Sequence, residues 1–355
     1  ALSVFTHRRI APGIFVDKGF GTSATFTREV SPSLPVSANY RFEITQTDAG
    51  DVYFCVNYGV CDQPTIQALG GRQRLSPFTL TATANRANDP FSPNRGYRGT
   101  IDAEHASRFT GSDFRYNRAS ADFARYFQIR KRGTLAGHLR LGWVNALSGT
   151  AEAVGVIDSD IEILHPRKRF YAGGSGSVRG YGENQLGPRV LTVPASTLRR
   201  DTSAAGCDGS VPIVSCDPNA AALRDRDFEA RPLGGNVVAE ASAEVRFPLW
   251  RTLVGAAFLD GAYVSQRTNP ELSRSKAAIT PGIGVRYRSP VGPIRVDIGI
   301  NPGASETLPV VTEATVAGET RLVTLDESRL FSPFRKGFRG VLDRVTLHLS
   351  IGEAF

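Results

Sequence analysis

Arg169-Phe-Tyr-Ala-Gly-Gly-Ser-Gly-Ser-Val-Arg-Gly-Tyr181 is the stretch on which the reading of this chain turns. It places one arginine, Arg179, among glycines and aromatics, inside a connection far too long for an ordinary turn. An exposed loop of this kind gains little in a soluble protein. A wide β-barrel can fold it back into a wet lumen, where the guanidinium finds carboxylates on the wall. The strands that flank the loop decide between these two settings.

Those strands carry a period of two. Ile279, Pro281, Ile283, Val285 and Tyr287 alternate with Thr280, Gly282, Gly284, Arg286 and Arg288; Ile294, Val296, Ile298 and Ile300 alternate with Arg295, Asp297, Gly299 and Asn301. Val345, Leu347, Leu349 and Ile351 alternate with Thr346, His348, Ser350 and Gly352. Each strand therefore has one apolar and one polar face. A soluble sandwich would turn the apolar face inward and a membrane barrel would turn it outward. Three features select the barrel. The strands run to about ten residues or more, enough to cross a bilayer when tilted. Their polar faces carry several charges apiece. The connections alternate between short (31–36, 87–96, 130–133, 248–253, 289–293) and long (49–75, 145–235, 265–276, 303–340), with the short 110–113 link as the exception on the long-loop side.

Twelve strands are predicted: 1–9, 20–31, 36–48, 76–87, 97–110, 114–130, 133–145, 236–247, 253–264, 278–288, 293–301 and 343–355. The fold class is all-β, a transmembrane antiparallel barrel with a long loop, 146–235, plugging its lumen. Composition agrees. Hydrophobic residues at 41% and charged residues at 21% exclude a disordered chain, and no apolar run is long enough for a membrane helix.

The net charge of +8 rests on arginine, since only Lys18, Lys131, Lys168, Lys276 and Lys336 of the 42 basic residues are lysine. The arginines are scattered singly, with no basic helix and no RNA-binding motif, so they are read as facing lipid phosphates or lumen carboxylates, and no nucleic-acid partner is expected. Cys55 with Cys61, and Cys207 with Cys216, form two close pairs in loop-like segments on the long-loop side. Disulfides in an oxidising compartment are the preferred reading; a zinc site would need tighter spacing and further ligands, and no histidine lies adjacent. His7, His105, His138, His165 and His348 are isolated, and no nucleophile elbow occurs, so the chain is expected to be no enzyme, with no cofactor and no metal.

The segment Phe170–Tyr181 resembles the signature of the BamA/TamA superfamily of outer-membrane assembly and translocation barrels. Asp89-Pro-Phe-Ser-Pro-Asn-Arg-Gly96 is similar to that family's periplasmic turn, Leu233-Gly-Gly-Asn236 with Glu244-Val-Arg-Phe-Pro-Leu249 to the strand after the long loop, and Ser289-Pro-Val-Gly-Pro-Ile-Arg-Val-Asp297 to the penultimate hairpin. The resemblance covers roughly 75–355. It implies that Gly173, Gly174, Val178, Arg179, Gly180 and Tyr181 form the plug motif, and that Arg179 meets Glu244 and Asp260 on the wall beside Phe258. The family's Phe-x-Asp-x-Gly stands here as Phe258-Leu-Asp-Gly-Ala262, with its glycine one place early.

The alternating last strand ending in Phe355 resembles the signal that barrel-assembly machinery reads on its substrates. Leu347, Leu349, Ile351, Gly352 and Phe355 would form one side of a lateral seam, with Gly352 weakening its pairing. The resemblance further implies residence in the bacterial outer membrane, contact with its lipids, and action on nascent outer-membrane β-barrel proteins with periplasmic or lipoprotein accessory subunits. Because the family's barrels have sixteen strands preceded by periplasmic POTRA domains, residues 1–355 are expected to be the back part of such a barrel, with the front strands and those domains absent. A secretion pore for one dedicated partner and a passive surface channel are the competing functions.

Overall fold

The computed structural model describes residues 1–129, 133–156, 163–199, 207, 211–266, 274–289, 292–303, 305–316, 319–335 and 338–352. The chain opens with β1 (Leu2–Ala11), β2 (Phe15–Ser31) and β3 (Leu34–Asp48), followed by two short helices, α1 (Asp51–Tyr58) and α2 (Gln63–Leu69). A three-residue β4 (Arg72–Arg74) precedes β5 (Phe78–Asn85), β6 (Gly96–Ala106), β7 (Tyr116–Ile129) and β8 (Gly133–Ala146). The long loop then contains α3 (Thr150–Ala153), β9 (Arg189–Thr192), α4 (Ala195–Leu198) and β10 (Glu229–Pro232). After it come β11 (Val237–Trp250), β12 (Leu253–Gln266), β13 (Arg274–Ser289) and β14 (Gly292–Ile300). The last part holds β15 (Glu306–Leu308), β16 (Val310–Val316), β17 (Glu319–Thr324), β18 (Arg329–Phe331), α5 (Phe338–Asp343) and β19 (Val345–Ile351).

Twelve of these strands make one antiparallel sheet in the order β1-β2-β3-β5-β6-β7-β8-β11-β12-β13-β14-β19, with β4 attached to β3. They are the twelve expected from the alternation. Several boundaries move: β6 stops at Ala106, β11 runs on to Trp250 and β13 begins at Arg274, and two further shifts have a local cause. β2 begins at Phe15, five residues before the expected start, because Asp17 and Lys18 continue the ladder opposite Arg9 and Arg8. The last strand ends at Ile351, and Gly352 follows it at φ +98°, donating its N–H to the Pro293 carbonyl at 2.8 Å. Gly352 thus closes the strand in a conformation glycine favours, where a weakened pairing within the strand was expected. Phe355 lies outside the described residues.

The faces sort as a membrane barrel requires. Leu139, Leu141, Leu259, Ile283 and Ile298 are exposed on the outer face, whereas Glu244, Asp260, Arg286 and Asp297 are buried on the inner one. Trp143 and Tyr263 ring the long-loop end and Phe127, Phe247 and Tyr287 the short-turn end, as membrane interfaces favour. No helix among the described residues is long and apolar enough to cross a membrane. Neither β1 nor β19 has a second pairing neighbour among the described residues.

The largest apolar core lies on the inner side of the sheet. Ile163, Leu164, Phe170, Val178 and Tyr181 of the long loop pack there with Tyr116, Val144, Val238 and Val264 of the strands and with Tyr53 and Tyr58 of α1. The loop therefore packs its apolar side chains against apolar ones that the wall itself turns inward, and hydrophobic burial holds it there before any ion pair is counted. A second core joins the remainder of this loop to the last long connection. β10, β9, β16 and β17 form a four-stranded sheet, β15 pairs with β18, and Leu191, Leu198, Phe228, Val310 and Phe331 pack beside them.

Both expected disulfides are present, Cys55–Cys61 and Cys207–Cys216. Their setting differs in part from the expected loops, since Cys55 lies within α1. The local signals for the two helices are capping ones. Gly59 ends α1 in the left-handed region, and the Asp62 carboxylate accepts the Thr65 N–H at 3.0 Å to start α2.

Candidate functional site: a plug arginine on the barrel wall

The loop approaches its motif through two isolated bridges, Phe170 to Gly235 and Ala172 to Leu186. Between them the chain reverses. Gly173 and Gly174 adopt φ of +100° and +107°, which side chains disfavour, and the Gly174 N–H donates to the Tyr181 carbonyl at 3.1 Å. Ser177 steadies the turn: its Oγ accepts the Gly173 N–H at 3.0 Å and donates to Glu240 at 2.8 Å. Val178 and Tyr181 point into the core while Arg179, between them, meets the wall.

Arg179 is 1% exposed and uses most of its donors. Nε and Nη2 bind the two oxygens of Asp260 at 2.7 and 2.8 Å, a bidentate fork. Nη1 reaches Glu244 at 2.6 Å, with Asp297 at 3.4 Å. The Arg179 backbone N–H also donates to Asp260, at 3.1 Å. The guanidinium lies 3.3 Å from the centre of the Phe258 ring, so one face carries a cation–π contact. Burial opposes its charge and these carboxylates more than offset that, so its pKa is raised above the ordinary arginine value. The structure thus brings together Arg179, Glu244, Asp260 and Phe258.

Other wall residues complete the network, and motif reasoning did not single them out. Glu244 is shared by Arg246 and Arg286, each at 2.7 Å. Asp297 also faces Arg286 at 3.5 Å and Arg295 at 3.4 Å. The signal for them was present, because Arg286, Arg295 and Asp297 occupy the polar face of their strands. The alternation gives the face but not which charges converge.

Glycines of the wall make room around the motif, one for the loop backbone and one for the aromatic ring beneath the guanidinium. A Cβ on Gly299 would fall 2.1 Å from the Arg179 carbonyl oxygen. A Cβ on Gly282 would fall 2.2 Å from Cζ of Phe258. Gly282 also answers the displaced glycine of the Phe258-Leu-Asp-Gly stretch. The room for the aromatic ring comes from the neighbouring strand, while a Cβ on Gly261 would make only ordinary contacts.

The motif also touches the last strand. His348 Nε2 lies 2.9 Å from the Arg179 carbonyl oxygen, and Thr346 donates to the Gly180 carbonyl at 3.1 Å. Arg295 bridges the two elements, donating to the Ser175 carbonyl and to Ser350 Oγ, both at 2.8 Å. These three β19 residues alternate with Leu347, Leu349 and Ile351, whose exposures of 67%, 74% and 73% exceed the 38% of Ile298 on the paired neighbour β14. The cysteines lie elsewhere: Cys55 in α1 with Cys61 just beyond it, and Cys207 and Cys216 in the loop-built core.

An antiparallel meander, apolar outside and charged inside, with a buried loop arginine seated on its inner wall, defines a plugged transmembrane β-barrel. The family follows from the sequence match: the chain belongs to the Omp85 superfamily, whose domain matches residues 9–312. Members of that superfamily are outer-membrane β-barrels. Among solved structures the chain is similar to BamA from Haemophilus ducreyi lacking POTRA domains 1–3, at 16% identity and a TM-score of 0.60, covering 91% of this chain and 58% of that one. It thus spans under two thirds of that protein, and the likeness is one of fold. CdiB from Acinetobacter baumannii matches at 13% identity and a TM-score of 0.45, over 87% of this chain and 42% of that one.

Proposed function

We propose that this barrel resides in the bacterial outer membrane and inserts nascent β-barrel proteins into it through a lateral seam, one side of which is β19. The supporting observation is the coupling of plug to edge: Thr346, His348 and, through Arg295, Ser350 hold the plug motif against a strand that has one pairing neighbour among the described residues. In lipid an unpaired strand edge is strongly unfavourable, so an incoming strand that pairs with it is drawn in without a chemical energy source. The protein acts on this reading by templating, with no catalytic group, and draws its clients from the periplasm with accessory subunits.

Export of one dedicated partner through the lumen is the second reading, favoured by the same family membership. A passive channel fits less well, because the plug fills the inner side of the sheet with a packed apolar core. Liposomes containing the full-length protein, mixed with a urea-unfolded outer-membrane porin, separate these readings. Heat-modifiable gel migration reads the folded client. Faster folding than in empty liposomes is expected; equal rates would remove the insertion reading and leave the dedicated pore.

A further inference from the structure

Twelve residues before Arg179, the same loop carries a second arginine whose surroundings repeat the first. Arg167 sits on a single 3-10 turn, Pro166–Lys168. Its Nη1 lies 2.9 Å from Asp17, 2.9 Å from Glu43 and 3.0 Å from His7 Nε2, and its Nη2 lies 3.0 Å from the other oxygen of Glu43. Both carboxylates are fully buried. Asp17 also accepts from Thr45 at 2.5 Å and Thr47 at 2.8 Å, and Glu43 accepts from Arg41 at 2.5 Å. These acceptors lie on β2 and β3, and His7 lies on β1.

The flanking residues bind the same half of the sheet. His165 Nε2 lies 3.0 Å from Thr47 Oγ1, its Nδ1 accepts the Arg167 N–H at 3.2 Å, and its ring stands edge-on to Phe114. Lys168 pairs with Glu104 of β6 at 2.6 Å, and Tyr116 of β7 donates to the same carboxylate. Arg179, by contrast, binds residues on β11, β12 and β14, with contacts to β19. The two clusters share no residue.

His7, Asp17 and Glu43 have donor atoms within 4.8 Å of one another, a spacing that suits a divalent cation. The Arg167 guanidinium is already seated among them. It supplies the positive charge and, by planar geometry, grips Glu43 at both oxygens.

We infer that Arg167 is a second plug anchor, a positioning residue that fixes the loop to β1–β3 independently of Arg179, so that the lumen clears only when both are released. The inference rests on the loop being a plug and not on what the barrel inserts. It is tested by the conductance of the full-length protein in planar bilayers, with heat-modifiable migration as the check on folding. Arg167→Ala should raise the open fraction at least about tenfold, less than for a carboxylate stripped of every partner, because Glu43 keeps Arg41 and Asp17 keeps Thr45 and Thr47. Arg167→Lys keeps the charge, loses the second bond to Glu43, and should fall between wild type and alanine. It also serves if the alanine variant does not fold. Because the sites share no partner, their free energies should add, and Arg167→Ala with Arg179→Ala should multiply the two single effects. The inference is overturned if Arg167→Ala, or Arg167→Lys in its place, conducts as wild type, or if the double variant opens no more than Arg179→Ala alone. Insertion of a porin need not change in either case.

Discussion

Replacing Arg179 by alanine isolates the ion pair on which the plug depends, and the structure indicates where the loss falls. Glu244 would retain Arg246 and Arg286 at 2.7 Å, and Asp297 would retain Arg286 and Arg295. Among the described residues Asp260 would keep Ser242 Oγ at 2.6 Å and the backbone N–H of residue 179 at 3.1 Å. The effect is therefore that of one buried carboxylate stripped of its cation, about 3–5 kcal/mol. That corresponds to a change between about 10² and 10⁴ in the ratio of docked to released plug. Hydrogen exchange at the Gly174 and Tyr181 amides, which bond within the plug turn that the wall contacts hold in place, follows its release. Removing the stranded charge as well, in Arg179→Ala with Asp260→Ala, should recover part of the loss, since no buried charge is then left unpaired. Exchange unchanged in Arg179→Ala would refute the anchoring role, and a double variant worse than the single would refute its electrostatic basis.

Two further outcomes follow from the same contacts. Gly299→Ala places a methyl group where the Arg179 carbonyl now lies, so it should release the plug about as strongly as loss of Arg179 while leaving every charge in place; exchange at the same two amides checks this. Burial, with Arg167 beside it, holds the His165 imidazole down to about 3, against an ordinary 6.5. Asp17 opposes that shift, and Lys168 and His7 add to it. A depressed folded value means that its contribution is complete above about pH 6.5 and is lost as the pH falls towards 3. At pH 5 the docked plug should be weaker by about 2 kcal/mol, and the open fraction in bilayers roughly thirtyfold higher than at pH 7.5. His165→Asn should flatten that slope between pH 7 and pH 5.

The barrel wall was legible because alternation is a local property: Ile283 and Arg286 declare their faces from spacing alone, whatever the rest of the chain does. The Arg179 contacts were legible only through the family motif, since Glu244 and Asp260 are distant in sequence and spacing offers no rule to pair them with it. Arg167 had neither advantage. Its run His-Pro-Arg-Lys resembles any basic turn, and Asp17 and Glu43 lie 150 and 124 residues away. The loop-built sheet was hidden for the same reason, because β9 and β16 pair in parallel across the whole second half of the sheet. α1 is only eight residues long, too short for its periodicity to stand out beside its capping glycine.

Site-specific photo-crosslinking during porin insertion tests the role of β19 most directly. A photoreactive side chain at Leu349, on the edge strand, and one at Ile283, also outward-facing but on an internal strand, are compared in the full-length protein. Crosslinks from position 349 to a terminal strand of the unfolded client, with none from 283, are the result expected. Equal capture at both positions, or capture only from lumen positions such as Glu240, would contradict insertion at this edge.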